Sequence, residues 1–220
     1  MNTDFGVIFD MDGVLTDSNP VHKETIERFC KKYNKEVSED FLLKHVFGRT
    51  NQEWIPDLFG NLSGEEVSRL ADEKEAMFRD IFDPLPSVIP GLFDFLDQLD
   101  KHNIKSVVAT SAPRENADFI LSALSIENYF DTVLDSSHVD KGKPDPQVYL
   151  KAADAIGYPP EKCIVFEDSL SGVEAGIRAG AKVIGITSTH TAEEMENCDK
   201  VVDDFTELDF EILEGLINQR

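Results

Sequence analysis

Asp10 and Asp12, two residues apart in F-D-M-D-G-V-L-T-D-S, directly follow a short apolar run. Other polar groups follow apolar runs in the same way. Thr110 and Ser111 do so in V-V-A-T-S-A-P-R, Lys143 comes later in K-G-K-P-D-P, and Glu167 with Asp168 stands in I-V-F-E-D-S-L-S-G. Carboxylates, a hydroxyl and an ammonium brought together suit a magnesium ion and a phosphoryl group. Hard oxygen ligands match Mg2+, and a carboxylate can approach a phosphate dianion only with positive charge between them. The softer His or Cys shell that zinc prefers is not on offer. With 43 Asp and Glu in the chain, a single acidic pair means little. The ordered set, each member behind its own apolar run, carries the argument.

Those runs read as buried strands: Phe5 to Phe9, Ser106 to Ala109, Thr132 to Leu134, Cys163 to Phe166 and Val183 to Ile186, with Val201-Val202 as a short last one. Amphipathic patterns lie between them, at Gly91 to His102, Glu115 to Leu124, Pro146 to Ile156, Ser171 to Ala179 and Asp209 to Ile217. Such alternation predicts an α/β fold with a parallel sheet covered on both faces, and ligands in that architecture bind beyond the carboxyl ends of the strands. From Pro20 to Asp83 the rhythm breaks. Only helical patterns occur there, at His22 to Tyr33, Glu39 to His45, Asn51 to Leu58 and Glu65 to Phe82, before Pro84, Pro86, Pro90 and Gly91 mark a hinge. The expectation is an all-helical unit at 17–86, inserted after the first strand of an α/β unit formed by 1–16 and 87–220.

Composition narrows the partners. The 220 residues are 41% hydrophobic and 29% charged, enough for a substantial core, and the formal net charge is −22. A polyanion repels nucleic acid and acidic membrane surfaces, because binding there depends on Lys and Arg displacing counterions. A phosphate site must therefore bring its own cations. No apolar run reaches the length of a membrane span and Met1 to Asp10 lacks the build of a secretory signal. Cys30, Cys163 and Cys198 form no C-x-x-C pair, so a disulfide framework or structural zinc is not expected. A cytoplasmic monomer is the expectation.

The four motifs in this order resemble the haloacid dehalogenase superfamily, in the branch with a helical cap after the first strand and most closely its β-phosphoglucomutase and sugar-phosphatase group. The likeness covers essentially the whole chain. It implies a Rossmann-like core with a small cap, and it implies roles. Asp10 would be the nucleophile that becomes an aspartyl phosphate, and Asp12 the general acid and then the base. Thr110 would bond a phosphoryl oxygen, and Lys143 would neutralise charge. Glu167 and Asp168 would complete a Mg2+ shell with Asp10 and the backbone carbonyl of Asp12. Gly13 permits the turn, and Asp12 argues against dehalogenation.

In the cap, His22, Arg49 (after Gly48 in V-F-G-R-T-N) and Lys74 are the candidate substrate contacts, with Ser111 and Arg114 from the core. Phe47, Trp54 and Phe59 read as cap core. Relatives with mutase activity carry a Ser and an Asn in a run like A-S-A-S-K-N, where this chain has A-T-S-A-P-R. Ala112 has no hydrogen-bonding side chain, although Arg114 could bind phosphate. The expected activity is a Mg2+-dependent phosphatase acting on a small phosphorylated metabolite, with a sugar phosphate as the expected substrate. A β-phosphoglucomutase-type mutase and a pyrophosphatase are the alternatives.

Overall fold

The computed structural model describes residues 5–47 and 49–218. Met1 to Asp4, Gly48, Gln219 and Arg220, with any expectation that falls on them, lie outside the described residues. Short runs of Val, Ile and Phe make β1 (Gly6–Phe9), β2 (Lys105–Ala109), β3 (Thr132–Leu134), β4 (Cys163–Glu167), β5 (Lys182–Ile186) and β6 (Lys200–Val202). They form one parallel sheet in the order β3-β2-β1-β4-β5-β6. The order reverses beside β1, between β1 and β4, and a parallel sheet opens a ligand crevice at such a point.

Between β1 and β2 come α1 (Asn19–Lys32), α2 (Glu39–Phe41), α3 (Asn51–Phe59), α4 (Gly64–Ile81) and α5 (Leu92–Lys101). Then α6 (Arg114–Leu124) follows β2, α7 (Gln147–Ile156) follows β3, α8 (Leu170–Ala179) follows β4, and α9 (Phe210–Asn218) comes last. Side chains alternate across the sheet. Val7, Phe9, Ile164 and Phe166 pack with α5, α6 and α9, while Ile8, Val107 and Val165 pack with α7 and α8. Burial on both faces is why these strands read as continuous apolar runs.

The helices α1 to α4 bury a separate cluster around Ile26, Phe29, Trp54, Ile55 and Leu70. Capping boxes start two of them: Thr50 with Glu53 at α3 and Ser63 with Glu66 at α4. The expected Glu39 to His45 helix takes a different form. After α2 the chain widens into a π turn over Leu42–Val46, closed by Phe47 N–H to Leu42 O at 3.0 Å, and leads directly into the loop carrying Arg49. The two chain segments that join the helices to the sheet run side by side. Asp17 N–H donates to Ser87 O at 2.7 Å, and Ile89 N–H donates to Leu15 O at 3.1 Å.

Candidate active site

Asp10 is the first residue beyond β1, and its N–H donates to Phe166 O at 3.0 Å, which ties it to β4. Beneath it, Phe9 stacks on Phe166 with ring centroids 5.0 Å apart, a packed floor under both strand ends. Glu167 ends β4, Asp168 follows, and Lys143 arrives from the loop before α7. The Lys143 ammonium donates to Asp10 Oδ1 at 2.8 Å and to Glu167 Oε1 at 2.6 Å, with all three side chains buried. The Tyr149 ring is its third neighbour, 4.9 Å to the centroid.

One ammonium thus serves two carboxylates, and Asp168 adds a third. Burial pushes the Asp10 carboxyl up to about 7, against the pull of Lys143 and with help from Glu167. Burial, then repulsion from Glu167 and Asp10, pushes Asp168 well above its usual range. Glu167 goes the other way: Lys143, Tyr149 and the Ser169 backbone overcome its burial and hold it low.

The donors on Glu167 define what it can do. Oε1 accepts from Lys143 and from the Tyr149 hydroxyl at 2.5 Å; Oε2 accepts from Asp168 N–H, Ser169 N–H and the Ser169 hydroxyl, each at 3.0 Å. A carboxylate offers about four lone-pair sites, so these donors fill it. Oxygen atoms of Asp10, Glu167 and Asp168 lie within 4.8 Å of one another. A divalent cation fits this buried, hard and under-neutralised oxygen set. Asp10 and Asp168 are the carboxylates with capacity for it, whereas Glu167 is spent on fixing Lys143 and the turn into α8. Glu167, the third carboxylate of this set and expected as a ligand, would have to release some of its five donors to reach the cation. Asp168 Oδ2 also accepts from Asn19 Nδ2 at 2.9 Å and from the Thr189 hydroxyl.

Glycine is required where the carboxylates come close. Gly13 has φ +78°, and a Cβ there would collide with Asp168 Oδ2. In α8, a Cβ on Gly172 would collide with Glu167 Oε1.

Asp12 faces the helical unit. Its Oδ1 accepts from the Ser18 hydroxyl at 2.6 Å and lies 3.2 Å from His22 Nε2. Lys74 Nζ sits 2.9 Å from His22 Nδ1. An ammonium only donates, so Nδ1 accepts, and Nε2 carries the proton directed at Asp12. The His22 ring stacks on Phe78 at 3.8 Å and 4°. Burial opposes ionisation of Asp12, but His22, Ser18 and Lys74 outweigh it and hold the carboxyl below its usual range. Lys74 also donates to Glu75 Oε1 at 2.8 Å.

These groups surround one cleft between sheet and helices, about 540 Å3 including its open mouth. Asp10, Asp12, His22, Arg49, Lys74, Thr110, Ser111 and Asp168 all line it, so residues far apart in sequence converge on one cleft. Trp54 and Phe47, expected as core, line it as well; Trp54 belongs to the buried cluster at the same time. The chain matches the haloacid dehalogenase-like hydrolase family over residues 7–186.

The chain belongs to the haloacid dehalogenase-like hydrolases. A phosphorylated carbohydrates phosphatase of Thermotoga maritima is 37% identical over 183 residues, covering 81% of this chain and 82% of that protein. A β-phosphoglucomutase of Bacillus subtilis is 30% identical over 217 residues, 94% and 92% of the two chains. The crystal structure of a HAD hydrolase, family IA, variant 3, from Entamoeba histolytica superposes with a TM-score of 0.88 at 31% identity, covering 98% of this chain and 100% of that one. Among the described residues, no helix is long and apolar enough to cross a membrane.

Within this haloacid dehalogenase-like site one expected contact is misplaced. Arg114 does not line the cleft: as the first residue of α6 it pairs with Asp118, one turn on, at 2.7 Å on an exposed face. Several site residues were not expected. Asn19 and Thr189 bond Asp168, Tyr149 bonds Glu167, and Glu75 accepts from Lys74, Asn51 and Asn116. Their signal in the sequence is weak, because every contact except Lys74–Glu75 joins positions distant along the chain.

Proposed function

We propose that this hydrolase is a Mg2+-dependent phosphatase of a small phosphorylated metabolite, a sugar phosphate, working through an aspartyl phosphate on Asp10. The observation that carries this reading is Lys143 bridging Asp10 and Glu167 while Asp168 stands beside them, among the described residues, without an ammonium of its own. Such a site supplies an oriented carboxylate and leaves room in its charge balance for a cation.

Asp10 and Asp168 would hold the Mg2+, whose chemistry there is to offset negative charge on the carboxylates and the phosphoryl oxygens. Lys143 favours the ionised form of Asp10 against its burial and aims it. An Asp10 oxygen attacks phosphorus, the Asp10–phosphorus bond forms, and the ester bond breaks. Asp12 gives the departing oxygen a proton, taken up as the phosphate ester closes in beside it and raises its proton affinity. Asp12 then removes a proton from water; the water oxygen attacks phosphorus and frees Asp10. The His22 Nε2 proton and the Ser18 hydroxyl hold Asp12 in place for both steps. The Thr110 hydroxyl accepts from Ala112 N–H at 3.0 Å and so brings its own proton to a phosphoryl oxygen.

The test is phosphate release from sugar phosphates, phosphoglycolate, nucleotides and pyrophosphate, with Mg2+ and with EDTA, using Asp10→Asn as the blank. Mg2+-dependent release concentrated on a few sugar phosphates is expected. Isomerisation of β-glucose 1-phosphate to glucose 6-phosphate, primed by the 1,6-bisphosphate and without net release, would make the enzyme a mutase instead.

A further inference from the structure

The helical wall of the cleft holds a carboxylate that the reaction does not use. Glu75 lies on α4, its side chain 6% exposed, and lines the cleft. Lys74 Nζ and Asn51 Nδ2 donate to Oε1 at 2.8 and 2.7 Å, and Asn116 Nδ2 donates to Oε2 at 2.7 Å. Donor-only groups fix the orientation of both amides. Trp54 Nε1 donates to Asn51 Oδ1 at 3.0 Å, and Arg79 donates to Asn116 Oδ1 at 2.6 Å. Each amide therefore turns its NH2 toward Glu75. Every partner is a donor, so Glu75 is an anion by construction, and Lys74 and His22 hold its carboxyl low against burial. Because Asn116 belongs to α6 beside the sheet, the anion also sits on the seam between the helical unit and the core.

Lys74 and Arg49, the lysine and arginine that line the cleft, are already engaged with carboxylates. Lys74 is shared between Glu75 and His22. Arg49 lies 4.0 Å from Glu53 and 3.8 Å from Asp57. Ala112 brings only a methyl group, and Arg114 is paired with Asp118 outside the cleft. A fixed anion among compensated cations repels a second phosphoryl group. Three donors on a carboxylate with about four acceptor sites leave room for a hydroxyl.

We propose that Glu75 selects the substrate at its far end, admitting phosphate monoesters of uncharged, polyhydroxylated carbon skeletons and rejecting those carrying a second phosphate there. This rests on the phosphatase reading and narrows its substrate class. The same anion opposes mutase chemistry, which must hold a phosphate at each end of one sugar.

The experiment compares kcat/KM for the preferred sugar monophosphate with that for the same sugar phosphorylated at its far end, with a far-end carboxylate analogue as an intermediate case. It is run on the wild type and on Glu75→Gln, with melting temperature and circular dichroism checking the fold. The wild type should favour the monophosphate at least about tenfold, with the carboxylate analogue between the two, as repulsion by a fixed charge in a partly desolvated cleft requires. Glu75→Gln should shrink that ratio about tenfold through a gain on the bisphosphate. Should the variant not fold, the wild-type series alone decides. Equal use of monophosphate and bisphosphate by the wild type, or an unchanged ratio in a folded variant, would overturn the inference while leaving the phosphatase reading intact. Release from no ester at all would overturn both.

Discussion

Replacing Lys143 with Met removes the one ammonium shared by Asp10 and Glu167 while nearly keeping the volume of the side chain. In the wild type Lys143 is 1% exposed and lies 2.8 and 2.6 Å from the two carboxylates. Asp10 and Glu167 raise its affinity for a proton above the usual lysine value despite burial. A folded pKa above the unfolded one gives stability fully present below the unfolded value and lost only at more alkaline pH, so Lys143 stays ionised from pH 5.5 to 8. Breaking a buried pair by deleting one partner costs about 3–5 kcal/mol, because a charge is left uncompensated. For a chain of this size that is roughly 6–20 °C in Tm.

The pH dependence has a definite sign. Without Lys143 the carboxyl of Asp10, already about 7 in the wild type, rises further, so the folded state binds a proton that the unfolded state releases near pH 4. Stability of the variant therefore falls as pH rises through this range. Thermal unfolding of wild type and K143M at pH 5.5 and pH 8, without divalent cation, should show a deficit larger at pH 8. Phosphatase activity should be lost at both. A deficit under about 2 °C at pH 8, or one that grows toward pH 5.5, would refute the charge-sharing argument.

Mg2+ should raise Tm relative to EDTA, by roughly 5–11 °C at a concentration near 100 times its Kd. The rise should shrink at pH 5.5, where the cation must displace protons from Asp10 and Asp168; an equal rise at both pH values would contradict the assignment of those ligands. Gly13→Ala should cost about 1–3 kcal/mol from its backbone conformation alone and lower kcat/KM by about tenfold or more by displacing Asp168; chemical denaturation and steady-state kinetics read both. Arg114→Ala should leave kcat/KM within about twofold, since an exposed i,i+4 pair contributes little, and a larger loss would return Arg114 to the substrate site.

The sheet was readable because strands buried on both faces leave apolar runs that no exposed segment imitates. β3 spans Thr132–Leu134 as expected, and the other strands differ by a residue at their ends. The residues just past β1, β2 and β4 inherit their position from the strands, so Asp10, Thr110 and Asp168 were legible with the fold. Lys143 was legible only through motif order, since its loop has no regular geometry. Glu75 was not legible. In a helix rich in Glu, Asp and Lys, nothing in the spacing separates a carboxylate on the solvent face from one turned into a cleft. Tyr149 was hidden for the opposite reason, as its ring fits the apolar stripe of α7 and only the structure shows its hydroxyl on Glu167. Arg114 was misread because a residue at the N-terminus of a helix can project either way. Asp118, one turn on, draws it outward.

The most direct test of the account is to stop the enzyme in acid during turnover of its preferred sugar phosphate and map phosphorylation by peptide mass spectrometry. The account predicts one phosphoryl group on the peptide carrying Asp10, lost on brief alkaline treatment as an acyl phosphate must be, and absent in Asp10→Asn. A phosphoryl group on another residue, or undiminished turnover by Asp10→Asn, would contradict it.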